Sequence, residues 1–287
     1  MKSGTVALIG RPNVGKSTLV NNLIGQKVAI TSPKPQTTRF PIQALYEDER
    51  GQIIFFDTPG IFIKAKDRLS KKINRQTLQT LSEQFDVVLY IVDPTRKRDF
   101  EEGRVLGIVR QIDKPKILIF NKSDLGRGKY LPLYKFLESE FSNFFYVSAL
   151  TNKHLRPLLE RIFELLPERK EPIHKNEVSF PALNMDSKTF IAEIVREKIF
   201  LRTRHELPYT TTVVVDEIRE RKDGTLYVKA RILTTDSVYK KMLIGAGGRR
   251  VKEIGSMARR ELETARNKKV YLDLEIEVDK HWITTLY

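Results

Sequence analysis

Apolar and polar positions follow two different rhythms along this 287-residue chain. In the first half, short β-branched runs bounded by turn residues alternate with segments of helical spacing. Thr5–Ile9 reads as a buried strand, the continuous apolar runs Val87–Val92 and Ile117–Phe120 predict strands buried on both faces, and Phe144–Val147 gives a last strand. Ile42–Tyr46 and Ile53–Phe56 flank the polar segment Glu47–Gln52, which predicts a hairpin. Lys16–Leu23, Asp67–Leu81, Phe100–Ile112 and His154–Leu166 carry helical periodicity. Strand–helix alternation of this kind predicts a doubly wound α/β sheet, with ligands outside the carboxyl ends of its strands.

Pro167–Pro181 interrupts the rhythm with three prolines and no periodicity, as a linker does. The organisation expected is a first domain over 1–168, a linker over 169–184 and a second domain over 185–287. The second has another order: helix Ile191–Phe200, strands Thr211–Ile218 and Leu226–Leu233 around a turn at Asp223–Gly224, helix Val238–Ile244, basic helix Arg249–Ala265, and alternating strand Val270–Val278. This is a small α-β-β-α-α-β, α+β unit.

Composition narrows the chemistry. Cysteine is absent, so disulfides, thiolate metal sites and cysteine catalysis are excluded. The four histidines have no ligand spacing. No apolar run of about 18 residues is present to span a membrane. The formal net charge of +15 favours a polyanionic partner, nucleic acid first and an anionic membrane surface second.

Gly10, Arg11, Pro12, Asn13, Val14, Gly15, Lys16 and Ser17 fit G-x-x-x-x-G-K-[ST], followed by Thr18. Such a loop turns its backbone N–H groups and a helix N-terminus toward phosphates. Lys16 would reach the β- and γ-phosphates, and Ser17 would hold Mg²⁺. Asp57-Thr58-Pro59-Gly60 ends a predicted strand, with Asp57 placed for a Mg²⁺-bound water and the Gly60 amide for the γ-phosphate. Asn121-Lys122-Ser123-Asp124 ends another. The Asp124 carboxylate can accept from guanine N1–H and the exocyclic amine, and a buried Asp there rejects adenine, which lacks that donor pair. Lys122 would lie along the base and Asn121 would position the loop. Ser148-Ala149 follows the next strand, with the Ala149 amide facing guanine O6. In the proline-broken loop Thr31–Phe40, Thr38 is chosen to complete the Mg²⁺ shell, with Thr37 as the alternative.

These motifs in this order resemble the translation-factor-related GTPases. GRPNVGKST, PQTTR, DTPG, NKSD and the segment Ala192–Tyr209 resemble the Era family through both domains. In one departure, Trp282 is followed by Ile283, where that family has a Trp-Arg pair and a longer tail. The resemblance implies GTP and GDP as ligands with Mg²⁺, GTP hydrolysis, and a cytoplasmic protein. It also implies hydrolysis without a water-orienting glutamine, since Ile61 stands after Gly60. In related GTPases with the same phosphate-loop asparagine a K⁺ ion supplies positive charge; Asn13 matches that position. Arg11 and Arg39 are lesser candidates as charge donors. The catalytic set is then Asn13, Lys16, Thr38, Asp57 and Gly60.

Gly245-Ala246-Gly247-Gly248 places G-x-x-G between two helices and is followed by Arg249, Arg250 and Lys252. The segment resembles a KH signature, and the element order matches the type-II variant, whose loop clamps a nucleic-acid backbone. From Lys240 to Lys269, ten Lys/Arg face three Glu, an excess of seven positive charges. Ile244 can pack on bases, and Val251 is read as core. The family resemblance implies single-stranded ribosomal RNA near the 3′ end of the small-subunit RNA as partner, and a role in assembling the small ribosomal subunit. GTP would bias two states by ordering Thr31–Phe40 and Asp57–Ile63. The alternative function is a signalling GTPase docked peripherally on anionic membrane. A monomer is expected, because no heptad pattern is visible.

Overall fold

The computed structural model describes every residue except 33, 35–37, 40–41, 60–84, 127, 170–185, 267 and 287. The chain divides into two compact units, Met1–Thr31 with Thr38–Asn184, and Ser32–Thr37 with Met185–Tyr287.

The first unit is built on a six-stranded sheet of order β2-β3-β1-β4-β5-β6. Its strands are β1 (Lys2–Ile9), β2 (Ile42–Asp48), β3 (Gly51–Asp57), β4 (Val87–Val92), β5 (Lys116–Phe120) and β6 (Phe144–Tyr146). All pairs are parallel except the β2–β3 hairpin. All six residues of β4 are buried, as expected of a strand covered on both faces. Helix α2 (Phe100–Gln111) contributes Val105, Leu106 and Val109 to a core with Tyr90, Phe120 and Tyr134. Helix α1 is Lys16–Ile24, and α4 (Leu155–Leu165) buries Leu158, Leu159 and Ile162. Because β1 lies between β3 and β4, the strand order reverses there, and the carboxyl end of β1 is the switch point where such sheets bind ligands.

The predicted strands and helices on described residues are present, most of them longer by one to four residues at an end, while α2, α4 and β6 are one or two residues shorter than predicted. The short helix α3 (Phe136–Glu140) was not predicted. The predicted helix Asp67–Leu81 and most of the linker lie outside the described residues.

In the second unit, β7 (Thr211–Glu220) and β8 (Leu226–Thr234) pair antiparallel, and β9 (Val270–Val278) pairs parallel to β8. That parallel step needs a crossover. It is made by α6 (Ser237–Ile244), the glycine loop and α7 (Arg249–Arg266). Helix α5 (Ser187–Arg202) packs on β7 and α7. It begins four residues before the predicted Ile191, because Asp186 caps it by accepting from the Thr189 amide at 2.7 Å. Ile254, Ala258 and Leu262 form the buried stripe of α7 at four-residue spacing. Val251 was expected there, but it is only half-buried, one turn out of that stripe. A last short helix, α8 (Trp282–Leu286), is pinned by the fully buried Trp282, whose Nε1 donates to the Thr210 carbonyl at 3.2 Å.

Candidate functional site

The phosphate loop leaves β1 at Gly10 and enters α1 at Lys16. Gly15 adopts φ +100°, and a Cβ there would lie 2.2 Å from Asn121 Nδ2, so glycine is required on both counts. Lys16 Nζ donates to the carbonyls of Gly10 and Arg11, each at 3.1 Å. Burial pushes the Lys16 ammonium down to about 8, against the pull of Asp57.

Three oxygen-bearing side chains from three segments converge beside it. Ser17 Oγ donates to Asp57 Oδ2 at 2.6 Å and lies 3.2 Å from Thr38 Oγ1. Asp57 is fully buried, and its Oδ1 has no hydrogen-bond partner among the described residues. Burial pushes its carboxyl up to about 6, with Lys16 and Ser17 opposing. A buried carboxylate oxygen without a donor, among hydroxyls, fits a hard divalent cation such as Mg²⁺. Protonating Asp57 removes that ligand charge. Mg²⁺-dependent GDP affinity is therefore expected to fall by about tenfold per pH unit below about 6. Titration with fluorescent GDP will read this, and the slope should exceed that of Asp57→Asn. Thr37 and Gly60 lie outside the described residues, so the comparison of Thr37 with Thr38 rests on the placement of Thr38 alone.

The base-recognition half sits at the ends of β5 and β6. Asn121 joins it to the phosphate loop: its Nδ2 donates to the Val14 carbonyl at 2.7 Å, and its Oδ1 accepts from the Ala149 amide at 2.9 Å. Ser148 Oγ donates to Asp124 Oδ1 at 2.5 Å. Asp124 itself is exposed, not buried as expected. Discrimination by its carboxylate thus requires the base itself to cover it. Lys122 adopts φ +66° and pairs through Nζ with the buried Asp93 at 2.6 Å. Asp93 directly follows β4, and the sequence analysis does not single it out. Its one signal was an acidic residue at a strand's carboxyl end, on the same sheet edge as the other motifs.

Arg11 is corrected as a charge donor. Its guanidinium is fully buried, 2.7 Å from Glu102 and 2.8 Å from Asp99, and turned into the core. Only its backbone serves the loop. Arg39 is also buried. Pro12, Thr58 and Pro59 are buried, and Asn13, Ser17, Thr18 and Ser123 are half-buried. Thr58 Oγ1 donates to the Leu8 carbonyl at 2.6 Å and so ties the end of β3 to β1.

In the second unit the glycine loop has φ of +71°, +57° and +75° at Gly245, Gly247 and Gly248. A Cβ on Gly247 or Gly248 would meet nothing within 4 Å, so the backbone there is open to close approach. Ala246, Arg249 and Lys252 are exposed, and Ile244 is half-buried. Arg250 is half-buried, and one of its guanidinium nitrogens donates to the Met242 carbonyl near the end of α6.

Against this geometry, the 50S ribosome-binding GTPase family matches residues 5–122 and the KH domain family matches residues 206–283. GTPase Era of Carboxydothermus hydrogenoformans is 40% identical over 98% of this chain and 94% of its own length. The Era of Halothermothrix orenii is 38% identical over the same shares. The chain belongs to the Era GTPase family. Two solved Era structures superpose on it at 36% identity. Aquifex aeolicus Era bound to GDP·AlF4⁻ has a TM-score of 0.90, with 99% of this chain and 96% of that one covered. Era in complex with MgGDPNP and nucleotides 1506–1542 of 16S ribosomal RNA has a TM-score of 0.89, with 99% and 95% covered. The Era fold, a phosphate-loop GTPase unit followed by a KH unit, is thus the fold of this chain. No helix among the described residues is long and apolar enough to cross a membrane.

Proposed function

We propose that this Era-family GTPase is a GTP-dependent switch that binds the 3′ region of small-subunit ribosomal RNA through its KH unit and acts in assembly of the small subunit. The observation that carries the RNA reading is the open backbone at Gly247–Gly248, at the foot of a basic helix. The Era complex with 16S nucleotides 1506–1542 supports the target. The GTPase domain is assigned to 1–168, the linker to 169–184 and the KH domain to 185–287. Gly10–Thr18, Asp57–Gly60, Asn121–Asp124, Ser148 and Ala149 are assigned to GTP. Ser17, Thr38 and, through water, Asp57 are assigned to Mg²⁺. Gly245–Arg250 and Lys252 contact RNA, with Arg250 also holding the Met242 carbonyl. The protein works in the cytoplasm as a monomer. Cross-linking in cells with GTP-locked protein, followed by sequencing of the bound fragments, tests the target. Fragments scattered over unrelated RNAs would overturn it.

Hydrolysis rests on positioning and charge neutralisation. Arg11 is withdrawn into its ion pairs, so its charge does not serve the phosphates, whereas Lys16 stands at the loop. Asn13, half-buried at the crest of the loop with φ +64°, is the proposed K⁺ ligand. Turnover is expected to be about tenfold faster in K⁺ than in Na⁺, a difference of about 1.4 kcal/mol in the barrier. Equal phosphate release in the two salts discards this assignment.

A further inference from the structure

A peptide plane fixes its N–H opposite its C=O, so whatever holds a carbonyl of the phosphate loop aims the next amide. Gly10 and Arg11 carbonyls are held by Lys16, the Val14 carbonyl by Asn121, and the Gly15 carbonyl by the Leu19 amide. The Pro12 carbonyl is held from outside these motifs, by Arg96 Nη1 at 2.9 Å. That bond aims the Asn13 N–H. Arg96 lies on the connection from β4 to α2, and its own carbonyl accepts from the Tyr134 hydroxyl at 3.1 Å. The same hydroxyl accepts from Arg11 Nη2 at 3.2 Å, and Arg11 is fastened to Glu102, which accepts from Tyr90 at 2.6 Å.

We infer that Arg96 is a positioning residue for the phosphate loop, aiming the Asn13 amide through the Pro12 carbonyl, and that the buried Tyr134–Arg11–Glu102 network is its mount. A buried Arg–Glu pair is costly to desolvate and contributes little net stability against an apolar pair of equal volume. Its value here is geometric, because it fixes Tyr134 between the two arginines. The inference rests on the reading of Gly10–Ser17 as the phosphate site.

The test compares GDP, GMP, guanosine and IDP binding to the full chain. In Arg96→Met, GDP affinity is expected to fall about tenfold, the effect of one lost hydrogen bond to a preorganised loop. The ratio of GDP to IDP affinity should stay at the wild-type value, because the guanine loop is untouched, while the ratio of GDP to GMP affinity shrinks. Arg96→Lys keeps a donor and should recover part of the loss. Tyr134→Phe, which keeps the core volume, should reproduce a smaller share. Unchanged GDP affinity in Arg96→Met overturns the inference. Equal losses for GDP and GMP also overturn it, since they indicate general damage to the unit. Failure of the wild-type protein to bind GDP tighter than guanosine would instead reject the phosphate-site reading.

Discussion

Asp124→Asn is expected to lower GDP affinity by about 1,000-fold and to raise affinity for xanthosine diphosphate at least about tenfold. Guanine presents two donors, N1–H and the exocyclic amine, to an acceptor-only carboxylate. An amide in that place sets its own NH₂ against guanine's amine and leaves both donors unpaired. Xanthine carries a carbonyl where guanine carries the amine, so the same NH₂ finds an acceptor. Ser148 Oγ donates to Asp124 Oδ1 at 2.5 Å, and an asparagine can keep that bond through its carbonyl oxygen. The side chain therefore keeps its orientation, and the effect is one of pairing. Competition against a fluorescent nucleotide measures both affinities. Parallel losses for the two bases would show that the substitution breaks the loop and that Asp124 does not read the base.

The second large effect concerns the KH unit. Ala246→Asp with Gly247→Asp should reduce affinity for single-stranded RNA by at least about 100-fold. It sets two carboxylates where a phosphate backbone must approach and opposes the attraction of the neighbouring cations. The fold should tolerate the change. Ala246 is exposed, and Gly247 at φ +57° lies in the left-handed region that Asp enters more readily than most residues. GDP affinity is expected to stay within about twofold. A milder variant, Lys252→Ala, should lower the slope of log affinity against log salt by about one. Wild-type RNA affinity in the double variant would remove the glycine loop from the interface.

The sequence disclosed the parts of this molecule whose causes are local. The uninterrupted apolar run of β4 and the strict alternation of β9 gave both strands to the residue. Asp223–Gly224 gave the hairpin turn. The site motifs were legible because close backbone approach, αL geometry and hard-ligand chemistry each demand particular residue types at fixed spacing. What stayed hidden depends on distant partners. The direction of the Arg11 side chain is decided by Glu102, 91 positions away, and no feature of the loop itself reports it. The bond from Arg250 to the Met242 carbonyl was hidden as well, because a charge on a basic helix gives no sign of a carbonyl that it will reach on the preceding helix. The five-residue helix Phe136–Glu140 is too short to show a period. The early start of α5 was readable in principle, since Asp186 three residues before Thr189 is a capping signal.

Asn121 spans the two halves of the nucleotide site, with one amide atom on the Val14 carbonyl and the other on the Ala149 amide. A receptor braced in this way behaves as a bidentate chelator. Seating the guanine end raises the effective concentration of the diphosphate at its loop, and the second contact forms as an intramolecular event. Guanosine and pyrophosphate supplied together as separate molecules should thus bind far more weakly than the same groups joined in GDP. With Asn121→Ala the advantage of joining them should shrink, because the brace between the Val14 carbonyl and the Ala149 amide is lost.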